Sequence, residues 1–167
     1  GLFAYRQVSP VDPVLVRNAL EGVLKSAVFV LLIVGAALIG HQVLPADPIG
    51  AMFAWVSLWL LGVGGGLVAS AGAGLVQEIG RLVRMAMLPM FMLSGAIIPV
   101  QVMPHDVQAI LLYNPVMHGI EILRVGFFPL YHAVQGVELL YLWYWALSLV
   151  ALGLGLHVRF ASRLKAQ

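Results

Sequence analysis

The chain has no cysteine among its 167 residues, which excludes disulfides and thiolate metal sites. Charge is almost as scarce: Lys, Arg, Asp and Glu make up 10% of the residues against 62% hydrophobic ones, and the mean hydropathy is +0.99. That balance describes an all-α integral membrane protein. A formal charge of +2 is too small to suggest nucleic acid as a partner. The five histidines are scattered and show no HExxH-type spacing, so no metal is expected. Nothing resembles a nucleophile elbow or a general acid and base in a cleft, so the chain does not read as an enzyme. Only His41 and His157, near span ends, interrupt the apolar stretches with an ionisable group. A proton relay has no obvious members, and energy for any transport must come from elsewhere.

Four apolar intervals are long enough to cross a bilayer, at about 26–45, 50–76, 83–101 and 138–158, since a spanning helix needs ~20 mostly apolar residues. With the leading segment in the cytoplasm, Arg6, Arg17, Lys25, Arg81, Arg84, Arg159, Arg163 and Lys165 share one side. Only Arg124 of the nine basic residues lies elsewhere. The positive-inside rule then places the C-terminus in the cytoplasm, with Asp47, Asp106 and Glu138 outside. The chain opens at Gly1 with no signal-peptide pattern and reads as part of a longer protein.

Residues 1–25 form a cytoplasmic segment. Asp12-Pro13 reads as N-cap and first helical position. Arg17, Glu21 and Lys25 recur every four residues, predicting two ion pairs on one face, opposite Val16, Leu20, Val23 and Leu24. Such a helix is either an interfacial anchor or a docking face for a soluble partner. In the second span Gly62, Gly66, Ser70 and Gly74 repeat at intervals of four, which predicts close helix packing. The glycines do not form a nucleotide loop, because no strand precedes them and no Lys-Ser/Thr pair follows.

The third span carries Pro89, expected to kink it, and ends in SGAIIPVQVMP. From residue 104 to 130 the apolar run is broken by Asn114-Pro115, Gly119, Glu121, Arg124, Gly126 and Pro129. It is expected to enter and leave the membrane on the outer side as two short helices, Pro104 to about Leu112 and Asn114-Pro115 to about Phe128. Irregular backbone at that depth is tolerated only when buried in protein or lining a watery cavity. Glu121 and Arg124, three apart, can pair, either as a structural pin or as a polar contact in an exit path. Tyr141, Trp143, Tyr144 and Trp145 open the last span as an interfacial belt. Alternatively, some of them face inward with Phe127, Phe128 and Tyr131 to offer flat faces to sugar rings.

The blocks LFAYRQVSPVDPVLVRNALE, EIGRLVRMAMLPMFMLSGAIIPVQVMP and LLYNPVMHGIEILRVGFFPLYH together resemble the membrane subunit of a type-2 bacterial ABC exporter, specifically the permease for capsular polysaccharide. O-antigen and other glycan export permeases are similar. An ATP-independent channel or secondary transporter and a membrane enzyme acting on lipid-linked glycans are the competing classes. The resemblance implies the third to sixth spans of a six-span subunit, its first two spans lacking. It implies a multi-pass protein of the bacterial inner membrane that binds a second permease copy and a separate ATP-binding cassette ATPase. ATP and Mg would sit on that ATPase, with no cofactor in this chain. The cargo implied is lipid-linked polysaccharide, moved from cytoplasm to periplasm and handed to periplasmic or outer-membrane export proteins. ATPase coupling would fall to Tyr5, Asp12, Arg17, Glu21, Glu78 and Arg81. A periplasmic gate and exit path would fall to Asn114, Pro115, Glu121, Arg124, Phe127 and Phe128.

Overall fold

Long apolar runs interrupted by proline and glycine give helices joined by tight turns, as seen in a computed structural model that describes residues 11–40 and 43–162. The helices are α1 (Asp12–Leu38), α2 (Pro48–Leu75), α3 (Gln77–Met92), α4 (His105–Leu111), α5 (Pro115–Phe127) and α6 (Leu139–Arg159), with a short 3-10 turn at Val100–Val102. Tyr5, Arg6, His41, Arg163 and Lys165 lie outside the described residues. Among those described, α1, α2 and α6 are long and apolar enough to cross a membrane.

Several sequence expectations change at this level. α1 runs unbroken for 27 residues, so residues 12–25 of the charged leading segment and the first span are one helix. Its N-cap is Val11, with no side-chain cap bond. Asp12 stands in the first turn, and Pro13 is at the second helical position rather than the first. Glu21 bonds Arg17 at 3.1 Å, and no second pair to Lys25 forms among the described residues. α3 starts earlier than the expected third span and is only 16 residues long, about 24 Å at 1.5 Å per residue. It carries Pro89 within it and stops at Met92, because Ser94 and Gly95 turn the chain. Gly95 has φ +75°, a conformation that costs glycine little and other residues more.

The core is the seam between α2 and α6. Ala54, Ser57, Leu61, Gly64, Leu67 and Ala71 of α2 are buried, as are Leu142, Ala146, Gly153 and His157 of α6. The two glycines let the helices touch. A Cβ on Gly64 would stand 2.7 Å from the Val150 nitrogen, and one on Gly153 would stand 2.5 Å from Leu67 Cβ. This register differs from the one expected from the fourfold repeat. Gly62 has nothing within 4 Å, and a Cβ at Gly66 would face the Asn18 amide of α1 at 3.3 Å. Of that repeat, Ser70 reaches α6, where its Oγ lies 3.1 Å from His157 Nε2. The opposite ring nitrogen, Nδ1, is 2.9 Å from the Gly153 carbonyl. A carbonyl can only accept, so Nδ1 holds the proton and, in the neutral ring, Ser70 donates to Nε2.

Candidate functional site

The segment between α3 and α6 folds back on α2 and is assembled from the end of α3 upward. Asn114 caps α5 in the expected manner: its Oδ1 accepts from the Val116 nitrogen at 3.0 Å, with Pro115 in the first turn. Its Nδ2 also donates to the Leu93 carbonyl at 3.1 Å. One side chain thus ties the last turn of α3 to the first turn of α5. α5 then lies tightly on α2. A Cβ on Gly119 would collide with the Leu58 side chain, and one on Gly126 would meet Ala51 Cβ at 3.0 Å. The Gly126 carbonyl accepts from the Asp47 nitrogen at 3.1 Å, and Asp47 in turn caps α2 through Gly50.

Glu121 is fully buried. Arg124, whose side chain is only 17% exposed, donates to it at 2.7 Å. The second guanidinium nitrogen donates to the carbonyls of Gly95 and Ala96. These carbonyls lie in the turn just past the end of α3, outside any helix. The Tyr131 hydroxyl, in the loop after α5, lies 2.9 and 2.8 Å from the two Glu121 oxygens. Burial raises the Tyr131 pKa to about 12, with the hydrogen bond to Glu121 and its charge adding to the rise and Arg124 opposing it. Four charge-assisted or polar contacts therefore converge on one ion pair, which meets the condition for a buried charge. Among the described residues no buried side-chain polar atom lacks a partner.

The structure brings Asn114, Pro115, Glu121 and Arg124 together around residues 93–96. It does not add Phe127 and Phe128 to them. Phe127 meets Phe29 of α1 edge-on at 5.6 Å, and Phe29 stacks on Trp55 of α2 at 4.8 Å. Phe128 is exposed. Of the expected coupling residues, Arg17 and Glu21 lie on α1, and Glu78 and Arg81 lie in the first turns of α3. Both groups approach the same end of α2, Asn18 beside Gly66 and Ile79 beside Gly72.

Sequence reasoning passed over His118. Its ring is buried beneath Tyr141, with centroids 4.7 Å apart. Nδ1 accepts from the Glu138 nitrogen at 2.9 Å and Nε2 lies 2.8 Å from the Leu112 carbonyl. An N–H can only donate and a carbonyl only accept, so the ring is the Nε2–H tautomer. One imidazole thereby bridges the end of α4 to the start of α6. No local sequence signal marks it, because both of its partners lie outside α5. Tyr141 turns toward this bridge and donates to the Tyr113 carbonyl at 3.1 Å, while Tyr144 and Trp145 are exposed.

Among the described residues, helices long and apolar enough to cross a membrane flank a folded-back segment with a satisfied ion pair inside it, the pattern of a multi-pass membrane protein whose polar chemistry is concentrated there. Residues 3–128 match the model of the ABC-2 type transporter family, and the chain belongs to that family. It is 29% identical over 157 residues to the polysialic acid transport protein KpsM of Escherichia coli, covering 94% of this chain and 60% of that protein. It is 32% identical over 130 residues to the capsule polysaccharide export inner-membrane protein CtrC of Neisseria meningitidis serogroup B, covering 77% and 48%. With BexB of Haemophilus influenzae, also a capsule polysaccharide export inner-membrane protein, the identity is 28% over 128 residues, again 77% and 48%. The chain thus spans between 48% and 60% of the length of these relatives.

Proposed function

We propose that this chain belongs to the permease of an ATP-driven exporter that moves lipid-linked capsular polysaccharide from the cytoplasm to the periplasm. The observation that carries the reading is the family match over residues 3–128, joined to relatives named for capsule polysaccharide export. The energy comes from a separate ATP-binding subunit, and two permease copies form the pathway in the inner membrane, with the C-terminus in the cytoplasm. Asp12, Arg17 and Glu21 at the start of α1, with Glu78 and Arg81 at the start of α3, form the surface that receives the ATPase stroke. Tyr5 is assigned to the same surface.

The segment 104–130 is a periplasmic gate that re-enters the membrane. Support comes from its tie to α3: Asn114 and Arg124 hold the carbonyls of residues 93, 95 and 96, so a displacement of α3 is transmitted to α5. The test is co-purification with the candidate ATPase and measurement of ATP hydrolysis with and without lipid-linked capsule polymer. Association and polymer-stimulated hydrolysis are expected. No association and no stimulation would overturn the reading.

A further inference from the structure

The hairpin end of the molecule carries a second polar feature besides the ion pair, an open cavity of ≈ 490 Å³ between α4 and the loop that leads into α6. Its size falls within the roughly 300–1,000 Å³ of small-molecule sites. Gln101, His105, Gln108 and Gln135 form the rim, and Leu112 and Val134 form the floor, with Ala109 beside them. The floor is firm, because Leu112 and Val134 pack on the buried Val100, Leu111 and Met117.

The loop wall is held at both ends. Tyr131 bonds Glu121 at one end, and at the other the Glu138 nitrogen donates to His118. Between them Gly136 turns the chain with φ +95°, close enough to the floor that a Cβ there would meet Leu112 at 3.4 Å. A wall fixed before its ligand arrives loses little conformational freedom on binding. On the facing wall Gln108 Nε2 donates to the Met103 carbonyl at 2.8 Å and to that of Gln101 at 3.4 Å. Those bonds orient the amide and leave its Oε1 as an acceptor for a ligand.

The side chains of Gln101, His105 and Gln135 make no hydrogen bond among the described residues. Glutamine amides offer donors and acceptors together, a set that suits hydroxyl and acetamido groups. Among the described residues no lysine or arginine lines the cavity, and the nearest formal charges along the chain are those of Asp106 and Glu138. An anion would meet like charge there with no cation to offset it. A neutral sugar can lay its C–H face on Leu112 and Val134 while its hydroxyls reach the amides.

We propose that this cavity binds one uncharged sugar residue of a glycan, and that it is a contact for the exported polymer as it leaves the segment 104–130. The proposal rests on the export reading, which puts this end of the fold in the periplasm. It adds to that reading a preference for a neutral residue over an acidic one.

The test is saturation-transfer NMR on the purified protein in nanodiscs with two soluble probes, a neutral N-acetylglucosamine trimer and an anionic sialic acid trimer. Both carry acetamido groups, so charge is what separates them. The neutral trimer is expected to bind in the millimolar range and the anionic one several-fold more weakly. Gln101→Ala and Gln135→Ala should each weaken the neutral trimer about two- to ten-fold, as loss of one neutral hydrogen bond implies. Ala109→Trp should abolish its binding, because residue 109 is exposed and the indole fills the cavity without entering the core.

No transfer to the neutral trimer would overturn the proposal, as would equal transfer to both trimers. Transfer that survives Ala109→Trp would put the sugar elsewhere and overturn it too. None of these readouts needs the ATPase, so polymer-stimulated hydrolysis without trimer binding would leave the export reading standing and sink the cavity alone. Trimer binding by a protein that neither associates with the ATPase nor responds to polymer would sink the export reading and, with it, the assignment of the sugar to an exported chain.

Discussion

Removing Arg124 should damage this protein far more than removing Arg17, although each arginine pairs with a glutamate on its own helix. The Arg17 and Glu21 side chains are 81% and 48% exposed, and an exposed pair of that kind contributes about 0–1 kcal/mol. Glu121 is 0% exposed and its partner 17%. Arg124→Ala leaves a buried carboxylate with Tyr131 as its remaining partner and frees the carbonyls of Gly95 and Ala96. Breaking a buried pair on one side costs roughly 3–5 kcal/mol. Glu121→Gln keeps the shape and an acceptor for Arg124, so its loss is expected nearer 1.5–3 kcal/mol, the range for a hydrogen bond to a charged group. The apolar double variant Glu121→Leu with Arg124→Met should recover part of the loss, short of wild type, since the two carbonyls and the Tyr131 hydroxyl stay unpaired. Reversible denaturation of the detergent-solubilised protein measures all four variants. If Arg124→Ala and Arg17→Ala cost the same within about 0.5 kcal/mol, the usual error of such additivity comparisons, the burial argument is wrong.

His118→Ala removes both bonds between α4 and α6, and hydrogen exchange of the Glu138 amide should accelerate by at least about ten-fold, as loss of a 1.4 kcal/mol contact implies. Unchanged exchange there would refute the bridge. In the α2–α6 seam, Gly64→Val is expected to destabilise by about 1–3 kcal/mol through overpacking. Gly62→Ala should be neutral or up to about 1 kcal/mol stabilising, since glycine is costly in an unconstrained helix. The reverse order in a denaturation assay would restore the fourfold glycine repeat as the packing stripe. Tyr131 keeps its proton above the ordinary tyrosine value of 10.0, to about 12. Its raised folded-state pKa contributes stability that is fully present below pH about 10 and lost as pH rises toward 12. Phenolate absorbance should show one late-titrating tyrosine that Tyr131→Phe removes, and an unaltered titration in that variant would contradict the assignment.

What the sequence made legible was mostly local. Asn114-Pro115 announced the start of α5 because a cap and its proline act within one turn, and a spacing of three put Glu121 within reach of Arg124. Lengths of apolar runs gave α2 and α6 for the same reason. The unread part depended on partners distant in sequence. Tyr131 closing on Glu121, Arg124 reaching back 28 and 29 residues to Ala96 and Gly95, and His118 receiving the Glu138 amide have no periodic signature. The glycine repeat did not single out the α6-facing register, because α2 carries so many small residues that several registers look packable: Gly64 meets α6, Gly66 meets Asn18 of α1 and Ser70 meets His157. Asp12 looked like a cap by residue type, but Val11 already has helical backbone angles, so the helix begins one position earlier.

Tight and loose contacts are unevenly distributed, and this bears on how an export stroke would travel. α2, α5 and α6 are locked by glycine contacts and buried side chains, whereas α1 and α3 carry no buried residue. The start of α3 packs on α2 through Ile79 at Gly72 and Gly80 at Ala73, and the end of α3 is held by Asn114 on Leu93 and by Arg124 on Gly95 and Ala96. A helix held at its start on one element and fastened at its tip to another couples the two, here α2 and the first turns of α5. If α3 links the ATPase side to the gate, Asn114→Ala and Arg124→Gln should lower polymer export several-fold while polymer-stimulated ATP hydrolysis continues. The two activities would separate because the stroke still reaches α3 but no longer reaches α5. Paired measurements of export and hydrolysis in reconstituted vesicles decide it: equal loss of both would mean that these bonds serve folding and not transmission.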